Sequence, residues 1–318
     1  MSSTESTMDK GAVVAGYDGS EEARKAVRWA AGEAAARGRG LVVAHVVGFP
    51  PVPEAVPGGG AWPRPGFLEA GQETAQRHAE AMLGDIAQEC RRTWPELAVS
   101  TRLLSGRAPD ELARAAENAD LLVIGSSGLT ALPRLLVGST ANQLLHDYHR
   151  PIVVVRDGEE PAADGDRKVV VGVDGSETSR EAIGFAYDFA DRHDHALVAL
   201  HVWSDLPLEA MAVTPTEHDR ELIEERGKPL LDEALAGYRE RYPDVPVHRV
   251  IAVDRPAHAL AEQAEGAALL VVGSHGRGLL RRALLGSVSR AMVHHAPCPV
   301  AVVRHHKERH GDYPKTRG

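Results

Sequence analysis

Cysteine is scarce in this chain. Only Cys90 and Cys298 occur among 318 residues, so neither a disulfide framework nor a four-thiolate zinc site can be assembled. Aromatic residues are scarce as well, at 4%, and the core has to be built from Ala, Val and Leu. No run approaches the roughly 18 apolar residues of a membrane-spanning helix. The polar stretch Met1–Lys10 offers no apolar segment for a signal peptide. Lys and Arg number 36 against 45 for Asp and Glu, a formal charge of −9, which argues against sequence-independent binding of nucleic acid. These absences give the expectation of a soluble, reduced, cytoplasmic protein with no membrane and no nucleic-acid partner.

What is present is ordinary in bulk, with 43% hydrophobic and 25% charged residues, and distinctive in order. At about 150 residues per domain the length suggests two domains, and self-comparison shows that they are copies. Gly11-Ala-Val-Val-Ala-Gly-Tyr-Asp-Gly-Ser20 resembles Arg167-Lys-Val-Val-Val-Gly-Val-Asp-Gly-Ser176. The offset is 156 residues from Asp18 to Asp174 and 148 from Gly125 to Gly273, so the first copy holds the extra length. The Pro- and Gly-rich stretch Gly48–Gly66 reads as the loop that contains it.

Each copy alternates strand and helix signals. In the first, Ala12–Tyr17, Leu41–Val47, Ala98–Leu104, Asp120–Gly125 and Ile152–Arg156 read as strands. In the second they are Val169–Val173, Leu197–Trp203, Val247–Val253, Leu269–Gly273 and Val300–Arg304. Continuous Val, Leu and Ile runs predict strands buried on both faces of a parallel sheet, and the alternation predicts a five-stranded α/β layer structure per copy. The domains are expected at 11–156 and 167–304, joined by an acidic linker at 157–166 and followed by a disordered tail at 305–318. A metal role for His305, His306 and His310 ranks below a solvated tail.

After the fourth strand both copies carry G-x2-G-x9-G-S: Gly125, Gly128, Gly138, Ser139 and Gly273, Gly276, Gly286, Ser287. No G-x4-G-K-[ST] occurs, and no G-x-G-x-x-G in a first βα unit. Glycines at a strand's carboxyl end leave backbone N–H groups unobstructed. A helix starting at Gly-Ser adds more, with the Ser as cap or hydroxyl donor, and such an end suits an anion. The alternative is that the glycines only make turns. For one copy the two readings stand level; the same spacing in both copies favours a site for polyphosphate.

The first βα junction has the opposite charge. Asp18-Gly-Ser-Glu-Glu22 and Asp174-Gly-Ser-Glu177 put acids at a helix start, with Ser20 and Ser176 as N-caps. Acids suit the helix dipole and repel phosphate. Asp18 and Asp174, at the last strand position, therefore suit a ribose hydroxyl, an adenine amino group or a phosphate-bound Mg²⁺, whereas Glu21, Glu22 and Glu177 read as simple dipole partners. In a doubly wound sheet such groups meet at the switch point in strand order.

This pair of motifs, with the ending Gly286-Ser-Val-Ser-Arg-Ala-Met-Val-His-His-Ala-Pro-Cys-Pro-Val-Ala-Val-Val-Arg304, resembles the universal stress protein family in its tandem-domain form. The resemblance implies two Rossmann-like domains of the adenine nucleotide alpha hydrolase type, strand order 3-2-1-4-5, and ATP, alone or with Mg²⁺, as cofactor. It also implies a homo-oligomer, a dimer paired through the last strands. Carried over to this chain, phosphates would meet Gly125, Ser126, Gly128, Gly138, Ser139 and Thr140 in one copy. In the other they would meet Gly273, Ser274, Gly276, Gly286, Ser287 and Ser289. Gly16 with Asp18, and Gly172 with Asp174, would line the nucleoside side; the Val46 and Val202 backbones would read adenine, and Asp205 the ribose. The first copy departs from the pattern with Pro133 and a single Arg134 in the loop, against Arg277, Arg281 and Arg282 in the second. Those arginines either neutralise phosphate or form a solvated loop face, and the second site ranks as the more secure.

Other chemistry falls away. There is no G-x-S-x-G elbow and no H-E-x-x-H. His193, His195, His294 and His295 read as helix-end or surface histidines, His45 and His201 as packed strand residues, and Cys298, between two prolines, as an inert loop thiol. The expected function is nucleotide-dependent stress signalling, with no catalytic residue and at most weak ATPase activity, since no general base or loop Lys is apparent. The alternatives are a slow Mg-dependent ATP hydrolase and an adaptor that works by pairing strand edges.

Overall fold

The computed structural model describes residues 11–48, 65–128, 137–156, 167–203, 217–276 and 285–304, with the backbone alone at 65–70, 217–222 and 224. Most of the Gly48–Gly66 loop, the linker, the tail, Asp205 and the loop residues Pro133, Arg134, Arg277, Arg281 and Arg282 lie outside the described residues.

Every expected strand forms, with ends shifted by no more than one residue. The first copy holds β1 (Val13–Gly16), β2 (Leu41–Val47), β3 (Val99–Ser105), β4 (Leu121–Gly125) and β5 (Ile152–Val155). The second holds β6 (Lys168–Gly172), β7 (Ala196–Trp203), β8 (Val247–Val253), β9 (Leu269–Gly273) and β10 (Val300–Val303). The helices are α1 (Glu21–Ala36), α2 (Pro65–Thr93), α3 (Ala108–Ala115), α4 (Ser139–Asp147), α5 (Glu177–Arg192), α6 (Glu217–Leu235), α7 (Tyr238–Arg241), α8 (Pro256–Gln263) and α9 (Ser287–His295). None of these helices is long and apolar enough to cross a membrane.

All ten strands join one sheet in the order β3-β2-β1-β4-β5-β10-β9-β6-β7-β8. Each copy thus has the order 3-2-1-4-5, and all pairs are parallel except β5 with β10, where Val153 faces Ala301 in antiparallel register. The implied pairing through the last strands is therefore internal to one chain. β5 lies between β4 and β10, and β10 between β5 and β9, so neither of these strands keeps a free backbone edge for a second chain. A correction concerns β3 and β8. Both were expected to be buried, yet they end the sheet and are partly exposed, because an outermost strand has only one neighbour.

Alternate side chains of the central strands enter two cores, one on each face. Val13, Ala15, Val123, Val153, Val171 and Ala301 face α1, α2, α5 and α6. Val14, Leu122, Val154, Leu270, Val272 and Val302 face the layer of α3, α4, α8 and α9. The continuous apolar runs are explained by this two-sided burial. Both cysteines are packed into these cores, and burial pushes the Cys90 thiol up to about 11 and the Cys298 thiol to about 12. Burial thus disfavours the thiolate of both, which for Cys298 agrees with the inert-thiol reading.

At the start of α1 the Asp-Gly-Ser turn is built as its sequence predicts. Gly19 is left-handed at φ +89° and Gly175 at +78°, conformations that an L side chain strains. Ser20 caps α1 by accepting from the Ala23 N–H at 3.2 Å, and Ser176 caps α5 by accepting from Ser179. Ser20→Ala is expected to cost about 1 kcal/mol of stability, read as a lower urea midpoint. A midpoint unchanged within error would remove the cap from the account.

Candidate functional site

The carboxyl ends of β1 and β4 diverge at the reversal in strand order, and a cavity of about 420 Å³ opens there. Its equivalent beside β6 and β9 measures about 950 Å³. Both volumes lie in the range of small-molecule sites. Every first-copy residue singled out from sequence lines the smaller cavity: Gly16, Asp18, Val46, Gly125, Ser126, Gly128, Gly138, Ser139 and Thr140. The larger is lined by Gly172, Asp174, Val202, Gly273, Gly276, Gly286, Ser287 and Ser289. Ser274 departs from expectation. It is 1% exposed, its hydroxyl pairs with His275 Nδ1 at 2.8 Å, and it does not line the cavity.

The aspartates lie two residues beyond their strands and not at the last strand position as expected, because β1 ends at Gly16 and β6 at Gly172. Asp18 Oδ1 accepts from the Ser20 N–H and Asp174 Oδ1 from the Ser176 N–H, each at 2.9 Å. Their second oxygens lie against the glycine loops. A Cβ on Gly128 would fall 2.3 Å from Asp18 Oδ2, and one on Gly276 would fall 2.6 Å from Asp174 Oδ2. Gly125 is required for a different approach, since its Cβ would meet the backbone of Glu22 and Ala23 at 3.0 Å. Gly138 has no such crowding; its role is at the helix end.

That role corrects the reading of the serines. Gly138 and Gly286 occupy the N-cap positions of α4 and α9, and neither helix has a side-chain cap. Ser139 and Ser287 are the first helical residues, which leaves them as hydroxyl donors and not as caps. The contrast with α1 is physical: its end is closed by Ser20, whereas the first turn of α4 presents Ser139, Thr140 and Ala141 to the cavity. Orphan N–H groups at such an end, with the dipole behind them, attract anions. Ser289 donates its hydroxyl hydrogen to the Gly273 carbonyl at 2.6 Å, tying α9 to the end of β9; what it retains for a ligand is its backbone N–H. Thr178 similarly holds the second glycine loop through the His275 carbonyl at 2.5 Å.

Opposite the helix ends, the Tyr17 N–H donates to Ala44 O and the Gly106 N–H to Val47 O. Alternate residues of a parallel strand point their backbone groups the same way, so Val46 aims both its N–H and C=O past the end of β1 into the cavity. Val173 N–H to Leu200 O sets up Val202 identically. His45 and His201 are held as packed residues, each pairing through Nδ1 with a main-chain carbonyl, Tyr17 O or Val173 O, at 2.7 Å. A carbonyl only accepts, so Nδ1 carries the hydrogen in both rings.

Sequence reasoning missed the walls that other elements supply. Arg290, His294 and His295 of α9 line the larger cavity, with Pro256 and Leu260 of α8. Burial, followed by His295, Arg156 and Arg290, pulls the His294 pKa down. His193 caps the C-terminal end of α5, as the helix-end reading expects, and in addition its Nε2 meets Glu33 Oε2 of the other copy at 2.7 Å. The sequence signal for α8 was Pro256 at a helix start; the histidine contacts had none.

The chain is similar to known proteins over nearly its whole length. The profile of the Universal stress protein family matches residues 11–156 and 166–304. A universal stress protein of Mycolicibacterium smegmatis is 40% identical over 296 residues, covering 92% of this chain and 96% of its own length. One from Mycobacterium tuberculosis is 37% identical over 298 residues, covering 92% and 96%. A solved universal stress protein from Archaeoglobus fulgidus shares the fold, with a TM-score of 0.65 at 21% identity over 93% of this chain and 98% of its own. The family profile occurs twice and the relatives run nearly end to end, so the chain belongs to the universal stress protein family, with two of its domains in tandem.

Proposed function

We propose that the protein binds ATP, alone or with Mg²⁺, in both cavities and that occupancy is its signal. The observation that carries the reading is the uncapped helix end facing a Cβ-free loop, repeated in both copies. The donor set fits the nucleotide part by part. Backbone N–H groups at Gly128 and in the first turn of α4 suit phosphate oxygens, and the overall charge of −9 does not oppose this because the donors are local. The Val46 backbone supplies one donor and one acceptor, the complement of an adenine edge. Asp18 Oδ2, repulsive toward bare phosphate, suits a ribose hydroxyl or a phosphate-bound Mg²⁺. The second copy repeats each part with Gly276, α9, Val202 and Asp174.

The test is nucleotide content. Protein purified without added nucleotide is denatured and the released small molecules are separated by chromatography; ATP is then titrated into any empty fraction by calorimetry. The expected result is adenine nucleotide approaching two per chain. A protein that releases none and gives no heat with ATP and Mg²⁺ would be an adaptor instead. Phosphate release with Mg²⁺ separates a binding protein from a hydrolase, and it is expected to be slow.

A further inference from the structure

The sites are not isolated from each other. Arg156 follows β5 of the first copy, and its guanidinium donates to the Val293 carbonyl in the last turn of α9, in the second copy, at 2.8 Å. Arg304 follows β10 of the second copy, and its guanidinium donates to the carbonyls of Leu145 and of His146, the latter at 3.0 Å, in the last turn of α4. Each arginine thus satisfies orphan carbonyls at the C-terminus of the helix whose N-terminus faces the other copy's cavity. The same strand ends also hold their own copy's loops. The Val155 carbonyl accepts from the Ser126 N–H at 2.8 Å, and the Val303 carbonyl from the Ser274 N–H at 2.7 Å. Ser126 O and Ser274 O in turn accept from the cap N–H groups of Gly138 and Gly286, each at 2.8 Å.

These links form a closed circuit. It runs from the α4 cap through Ser126, Val155 and Arg156 to α9, and from the α9 cap through Ser274, Val303 and Arg304 back to α4. We propose that Arg156 and Arg304 are positioning residues that couple the two cavities, each anchoring the helix that forms the opposite copy's anion-binding end. This rests on the nucleotide reading above. A nine-residue helix is marginal without tertiary anchors, and a cation at its C-terminus stabilises the same dipole that an anion uses at its N-terminus. A ligand that orders the Ser274–Gly276 loop also steadies Val303–Arg304, and through it α4, so the two binding events favour each other. Linkage makes the effect equal in both directions.

The experiment measures ATP with Mg²⁺ by calorimetry, with one site closed in each full-length protein. Gly276→Ala leaves the first site open, and Gly128→Ala the second. The expected result is crossed: Arg304→Gln weakens the first site by about three-fold or more, the scale of a helix-terminal charge plus a frayed turn, and leaves the second within error. Arg156→Gln does the converse. A merely structural role would weaken both sites alike or neither, and either outcome overturns the coupling while the nucleotide reading stands. If the unmodified protein binds no ATP, the nucleotide reading falls and the coupling with it. Hydrogen exchange without ligand gives a second readout. Arg304→Gln should speed exchange at the end of α4 and not α9, and equal protection of α4 in both proteins overturns the anchoring role.

Discussion

Gly128→Ala should empty the first site and Gly276→Ala the second, each removing about half of the nucleotide that the chain carries. The added Cβ would lie 2.3 Å from Asp18 Oδ2 or 2.6 Å from Asp174 Oδ2, so something has to move. If the aspartate rotates, it gives up the hydrogen bond from the Ser20 or Ser176 N–H. If the loop retreats, its N–H groups leave the phosphates. Either movement should cost at least about tenfold in affinity, the equivalent of ~1.4 kcal/mol. The fold should survive, because the clash is with a side-chain tip, whereas Gly125→Ala would press on the backbone of α1. Calorimetric stoichiometry checks this. Two sites remaining in both variants would refute the placement of phosphate at these loops.

Glu33→Ala should cost about 3–5 kcal/mol, the usual cost of orphaning a buried charge, and it should act far from either cavity. Glu33 is 2% exposed on α1 of the first copy. Its carboxylate meets Arg37 Nε at 2.5 Å, Arg192 Nη2 at 3.0 Å and His193 Nε2 at 2.7 Å, the last two from the second copy. Around it Trp29 stacks on Phe189 and Arg37 lies over Phe185. Already Arg37 Nη2 and Arg192 Nε lack partners among the described residues; removing the acid leaves two half-satisfied guanidiniums. Urea denaturation measures the loss, and a variant within about 1 kcal/mol of the parent would show the cluster to be idle.

The same carboxylate sets an acid limit. Burial pushes the Glu33 pKa up, but the His193 hydrogen bond and the Arg37 and Arg192 charges outweigh it and hold it below the ordinary 4.5. A group whose folded pKa is depressed stabilises the fold above its unfolded pKa and loses that contribution as pH falls through the folded value. Stability should therefore decline below about pH 4.5, and the decline should be shallower in Glu33→Gln. Parallel acid profiles for the two proteins would contradict this.

Both glycine constellations and all ten strands were legible because their signals are local. A Val run, an Asp-Gly-Ser turn and a G-x2-G spacing each act over a few residues, and duplication displayed each one twice. What could not be read depends on partners distant in sequence. Ser139 reads as a cap until Gly138 is seen to take that position. Ser289 looks like a ligand hydroxyl until its hydrogen is traced to the Gly273 carbonyl. His193, Arg156 and Arg304 have ordinary sequence surroundings, and their contacts lie across the junction of the copies. Strand order followed from resemblance, but the closure of β5 on β10 within one chain is a tertiary fact that no local pattern encodes.

That closure has a consequence for how the two halves can differ. Two separate, identical subunits meeting across a two-fold axis must present the same residue twice, and their union dissolves on dilution. Here the halves are tethered, so their union does not depend on protein concentration. Nor must the two faces match: the positions equivalent to Trp29 and Glu33 of α1 and to Arg37 at its end hold Phe185, Phe189 and His193. One half brings the acid and the other answers with Arg192 and His193. Covalent duplication has released the seam from symmetry.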